Sequence, residues 1–138
     1  MRTFYIFNIS REFAILTKEN PYNLFKTMEE IYYLSPNDIE VAYQTFETLA
    51  KPFDKKRINN DLFQKHQNNQ QYTKFKSNHV FNNYYTDEQS QLTVNTAHLI
   101  IKSTSNIPIF LKDLNPSTNL FVCDFHNKDY FWLEQLNY

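Results

Sequence analysis

The 138-residue chain contains no glycine. Glycine enters left-handed backbone without steric cost, and it lets a main chain approach a phosphate closely. A chain without it cannot build a P-loop, a Gly-rich dinucleotide-binding turn or a Gly-x-Ser-x-Gly nucleophile elbow. Those enzyme classes are excluded, and every tight turn must be made from other residues. Asn tolerates the left-handed region best among the alternatives, so Asn-bearing segments are where the chain should reverse.

The strongest such segment is residues 120–133, LFVCDFHNKDYFWL, which holds the only Trp and the only Cys. Leu120–Val122 with Cys123, and Tyr130 through Leu133, are apolar, β-forming and short, so they read as the two arms of a hairpin. Asn127 lies in the intervening polar turn and can take the left-handed position. Apolar residues on both faces of each arm predict a central pair of strands, with Trp132 as a core anchor.

A chain of this length fits one domain, residues 1–138, and can bury a real core. Aromatic residues make up 17%, while a mean hydropathy of −0.63 keeps the chain water-compatible. A single Cys excludes an internal disulfide framework and any Cys-based four-ligand zinc site. No apolar run is long enough for a signal peptide or a bilayer span, which makes a cytoplasmic location the expectation.

The remaining elements follow from periodicity and punctuation. Residues 3–9 (TFYIFNI) are apolar on both faces and read as a central strand, and Ser10 can cap a short helix carrying Phe13 and Leu16. Asn20-Pro21 starts a second helix with Leu24, Phe25, Met28 and Ile31 at helical spacing. Ser35-Pro36-Asn37-Asp38 starts a third, with Ile39, Ala42, Tyr43, Phe46 and Leu49 on its core stripe; Pro52 ends or bends it. Its opposite face carries Gln44, Thr45, Glu47, Thr48 and Lys51. A fourth helix should follow Asp54 with Ile58, Leu62 and Phe63 inward, and residues 72–76 suit a short, Lys-guarded edge strand. Residues 79–85 and 91–102 read as a hairpin that sets His79 opposite His98; a final helix spans 106–114, capped by Ser105 and ended by Asn115-Pro116. The expected fold is therefore α/β: about five mostly antiparallel strands in a central sheet with helices on its faces, an α/β/α sandwich.

Catalytic chemistry finds little support. Cys123, Asp124 and His126 are close in sequence, but neighbouring strand residues point to opposite faces and His126 falls in the turn. A carboxylate beside the thiol also opposes thiolate formation. His79 and His98 lack the third ligand and the motif context of a metal site, so neither a metal nor a cofactor is expected. Charge is uneven: residues 51–78 carry seven basic and two acidic side chains, within a chain of net charge −1. That segment, with Lys55-Lys56-Arg57, is the basis of an alternative reading as a nucleic-acid-binding module, although a pI near 6.4 argues against direct nucleic-acid binding.

Two segments resemble a known family. Tyr5-x-Phe7-x-Ile9-x-x-Glu12-Phe13-Ala14 is similar to the N-terminal strand-to-helix segment of the SirA family of sporulation inhibitors of replication. Asp124-Phe125-x-x-Lys128-x-Tyr130-x-Trp132-Leu133 resembles that family's C-terminal hairpin at the same spacing, and the elements between agree in order. The resemblance implies a protein without enzymatic activity, cofactor, small-molecule substrate or membrane attachment. It implies binding to the N-terminal domain of the initiator DnaA, preventing assembly at the origin. Carried over by position, it makes Phe13 a hydrophobic anchor, with Thr17, Thr45 and Thr48 at neighbouring contact positions beside Pro52. Family members carry Tyr where Thr17 and Thr48 stand, Gln at Thr45 and Gly at Phe131.

Overall fold

Strand β1 (Arg2–Ile9) lies in the interior of the sheet, as apolar residues on both its faces require. The computed structural model describes residues 1–33, 39–114 and 119–136, with backbone alone for 39–43. After β1 come α1 (Arg11–Thr17), α2 (Pro21–Tyr32), α3 (Ile39–Leu49), β2 (Ala50–Lys51) and α4 (Lys55–His66). The chain continues through β3 (Tyr72–Phe75), β4 (Asn78–Asn83), β5 (Glu88–Val94), β6 (Leu99–Ser103), α5 (Ile109–Asp113), β7 (Leu120–Asp124) and β8 (Asp129–Trp132). One eight-stranded antiparallel sheet results, ordered β3-β4-β5-β6-β1-β7-β8, with β2 paired to the end of β1.

The α/β class and the antiparallel pairing agree with the sequence, but the expected count of about five strands is too low. Residues 91–102 are two strands rather than one, because a turn closes at Asn95–His98, where Asn95 N–H donates to His98 C=O at 3.2 Å. Ala50–Lys51 and the edge strand Tyr72–Phe75 supply the rest. The expected hairpin register also fails: His79 stands opposite Leu92, not His98. The reversal comes early because the Asn83 carboxamide accepts from the N–H groups of Tyr85 (3.0 Å) and Thr86 (3.3 Å), and Asp87 turns left-handed at φ 55°.

The 120–133 hairpin forms, with Phe121 opposite Trp132, yet only β7 is interior; β8 is the sheet edge. Asn127 is not the left-handed residue of its turn. Its N–H and Nδ2 both donate to the Asp124 carboxylate, at 3.1 and 2.7 Å, and Lys128 takes φ 55° instead.

Two core clusters lie against the sheet. Phe4 and Ile6 pack with Leu62 of α4 and with Phe110 and Leu111 of α5. Phe7 and Ile9 pack with Ala14, with Leu24, Phe25 and Met28 of α2, and with Leu49, Phe121 and Trp132. Alternation along β1 separates the two sets. Phe46 and Leu49 of the α3 stripe join the second cluster; the Ile39, Ala42 and Tyr43 side chains and the Ser35–Asp38 start signal lie outside the described residues. Phe63, expected inward, is 42% exposed, because α4 spends its inward turns on Ile58, Leu62 and His66. The last helix is shorter than expected: Ser105 Oγ caps a turn at Ile107, and helix begins only after Pro108. Asn115-Pro116 falls outside the described residues.

Candidate functional site

The end of β1 brings α1 and α3 together. Ser10, where β1 hands over to α1, donates its N–H to Leu49 C=O at 2.8 Å, and its hydroxyl reaches Thr48 C=O at 3.5 Å. β2 then zips onto β1, pairing Ile9 with Ala50 and Asn8 with Lys51. These bonds fix the first turn of α1 beside the last turn of α3, as a short helix with one buried residue could not do alone.

Phe13 is half-buried, its ring leaning on the cluster that holds Phe25 and Trp132. Thr17, also half-buried, donates its hydroxyl to Phe13 C=O at 2.6 Å. Thr45 and Thr48 are exposed on the outer face of α3, and Thr48 Oγ1 is turned back onto Gln44 C=O at 3.0 Å. Pro52 is exposed just beyond β2, on the rim of a cleft of about 450 Å³ floored by Phe53, Ile58, Leu62 and Leu120. The hydrogen bonds described tie Phe13 to Thr17 within α1, and Ser10 to Thr48 across to α3.

Sequence reasoning passed over Ile15 and set Leu16 beside Phe13 without reading it as exposed. Ile15 and Leu16 are 68% and 76% exposed, among the largest apolar exposures in the described chain. Their exposure follows once the buried arc is known: in a seven-residue helix that buries Ala14, consecutive apolar residues after it cannot also face the sheet. Glu12 and Glu47 are exposed on the same two helices, while Lys18 is paired with Glu134.

The other candidates resolve into structure. Cys123 is buried, and burial pushes its thiol well above the usual range. Asp124 suffers the same desolvation, but donations from Asn127 and from Arg2 Nε at 2.9 Å outweigh it and hold the carboxyl below its ordinary value. His126 is exposed in the turn, so the three groups assemble no nucleophile–base pair. His79 is buried between Tyr72 Oη (2.6 Å from Nδ1) and Asn59 Oδ1 (2.7 Å from Nε2). Burial, with smaller contributions from Lys74 and His66, lowers its pKa to about 4; the neutral ring accepts from Tyr72 and donates to Asn59. His66 meets the buried Asp113 at 2.6 Å, with Lys65 on the other oxygen. Among the described residues no three His, Cys, Asp or Glu side chains stand together as a metal-ligand set. No described helix is long and apolar enough to cross a membrane.

Comparison with curated proteins gives no match. The model of the family described as sporulation inhibitor of replication protein SirA matches residues 2–137, nearly the whole chain, and the protein therefore belongs to the SirA family.

Proposed function

We propose that this protein restrains replication initiation by seating α1 and the C-terminal end of α3 on the N-terminal domain of DnaA, so that the initiator cannot assemble at the origin. The action is occlusion in the cytoplasm by a single-domain, α/β/α-layered protein, and it needs no bond-making chemistry. Family membership supports the process. The observation that carries the surface is apolar exposure on α1: Ile15 and Leu16 face outward beside the half-buried Phe13. Clustered apolar exposure of this kind marks contact sites more often than chance scatter does. Phe13, Thr17, Thr45, Thr48 and Pro52 form the contact set in this reading. All five positions follow from the family likeness, and the Ser10 hydroxyl on Thr48 C=O supports the reading by holding the two helices side by side.

The test is capture of the protein by the immobilised N-terminal domain of DnaA from the same organism. Wild type is expected to bind, and Phe13→Ala and Ile15→Ser/Leu16→Ser to bind at least tenfold more weakly with unchanged circular dichroism. Failure of the folded wild-type protein to bind removes the proposal.

A further inference from the structure

Among the described residues, helices α1–α3 cover only part of their side of the sheet. Their core cluster draws on β1, β7 and β8 and on no residue of β3–β6. Burial alternates along β4–β6 and at Tyr72 and Thr73 of β3, while Lys74, opposite His79, is exposed at the sheet edge. Tyr72, His79, Phe81, Ser90, Leu92, Val94, Leu99, Ile101 and Ser103 are buried on the α4/α5 side. Every outward position between them, from Thr73 to Lys102, is half-buried or exposed.

Strand register arranges those outward side chains in rows. One row runs Tyr5, Ile100, Thr93, Asn78, Phe75; the next runs Thr3, Lys102, Gln91, Val80, Thr73. Thr93 Oγ1 donates to Asn78 Oδ1 at 2.8 Å, which confirms the shared face. Five strands at about 4.8 Å spacing give a platform roughly 19 Å across. Aromatic rings stand at both ends. Phe75 is 71% exposed with Lys76 Nζ 5.5 Å from its ring, and Tyr32 and Tyr33 wall a cleft of about 480 Å³ at the other end. That cleft is lined also by Tyr5, Lys102 and Asp124, and the Asp124 carboxylate is already engaged by Arg2 and Asn127.

We propose that this open face binds single-stranded nucleic acid. The chemistry matches on three counts. Amide and hydroxyl side chains in rows meet base edges, whereas a docking helix needs a continuous apolar stripe, and here Phe75, Val80, Ile100 and Tyr5 are interrupted by Thr73, Asn78, Gln91 and Thr93. Phe75 at one end and Tyr33 at the other offer stacking planes, Tyr32 being already stacked on Phe125, as aromatics on four-stranded RNA-binding sheets do for two or three bases. Lys102 and Lys76 lie on or beside a face whose outward positions in β3–β6 carry no carboxylate, complementary to a polyanion. The net charge of −1 averages over the whole chain and does not report on this face. The platform rows share no residue with the proposed α1/α3 contact set or with Lys55, Lys56 and Arg57.

The experiment is fluorescence anisotropy of the full chain with a labelled twelve-nucleotide oligothymidylate. Wild type is expected to saturate, with a shallow salt dependence, a log–log slope near −1.4 for two lysines. Phe75→Ala and Tyr33→Ala should each weaken binding at least about fivefold, Lys102→Glu likewise, and Lys55→Glu/Lys56→Glu/Arg57→Glu should bind as wild type. Absence of saturable binding overturns the proposal. So does loss that follows the α4 variant instead, and so does equal competition by duplex DNA or by polyglutamate. Capture by DnaA's N-terminal domain should survive Phe75→Ala/Lys102→Glu, so the two proposals fail independently.

Discussion

Truncating Trp132 tests the core directly. The ring is fully buried, lies 4.9 Å from the Phe121 ring at a tilt of 56°, and has Lys18 Nζ 4.8 Å above it. Removing so large a buried ring costs about 3–5 kcal/mol, through lost transfer energy and the cavity left behind. At about 2.1 cal/mol/K per residue, unfolding entropy translates each kcal/mol into roughly 3.5 °C, so Trp132→Ala should melt about 10–17 °C early. The indole adds a sharper arm. Its Nε1 is buried without a hydrogen-bond partner among the described residues, a burden of about 1–3 kcal/mol that a benzene ring does not carry. Trp132→Phe should therefore lose less than about 1.5 kcal/mol despite its smaller volume. Urea denaturation followed by far-UV circular dichroism measures both variants, since the only Trp is the residue replaced. A loss below about 1 kcal/mol in Trp132→Ala, or equal losses in the two variants, refutes the reasoning.

Three further expectations concern stability. His79 is held neutral with a folded pKa of about 4, below its unfolded value near 6.5, so its contribution is full above pH 6.5 and fades as pH falls toward 4. NMR titration should find its imidazole uncharged at pH 5.5, where a solvent-exposed histidine is mostly protonated. Asp124 is likewise depressed, so the stability it contributes is present above about pH 3.9 and disappears as pH drops through its folded value. Asp124→Asn should flatten the acid limb of a urea-stability profile, and an unchanged limb would show that the Arg2 and Asn127 bonds do not matter. Leu62→Ala should cost about 2–5 kcal/mol, while the adjacent Phe63→Ala should stay within about 1 kcal/mol because its ring faces solvent.

The elements that two-sided apolarity marks, β1 and β7, were legible in the sequence, as were the helices that begin at Ser10, Asn20 and Asp54. β8 carries the same apolar pattern yet sits at an edge, because Trp132 and Leu133 are covered by packing rather than by a further strand. Registers were not legible. The β4–β5 turn is set by one carboxamide, that of Asn83, and nothing in the strand pattern distinguishes it from the Asn at position 82. Phe63 was misplaced because periodicity gives a face only to within a residue, and Leu62 took it. At the candidate site, Phe13 follows from family likeness, whereas Ile15 and Leu16 become visible only when the buried arc of α1 is known.

The interior place of β1 bears on how the chain reaches this state during synthesis. Its neighbours in the sheet are β6 and β7, so Tyr5 must wait for Ile100 on one side and Cys123 on the other. Of the described strands β1 is made before the others yet is among the last to be enclosed, with Phe4, Ile6 and Phe7 uncovered meanwhile. Ladders of such long sequence separation fold slowly and leave aggregation-prone edges while they wait. Enclosure of β1 waits for β7, so a nascent chain stalled before residue 120 leaves β1 with one open flank.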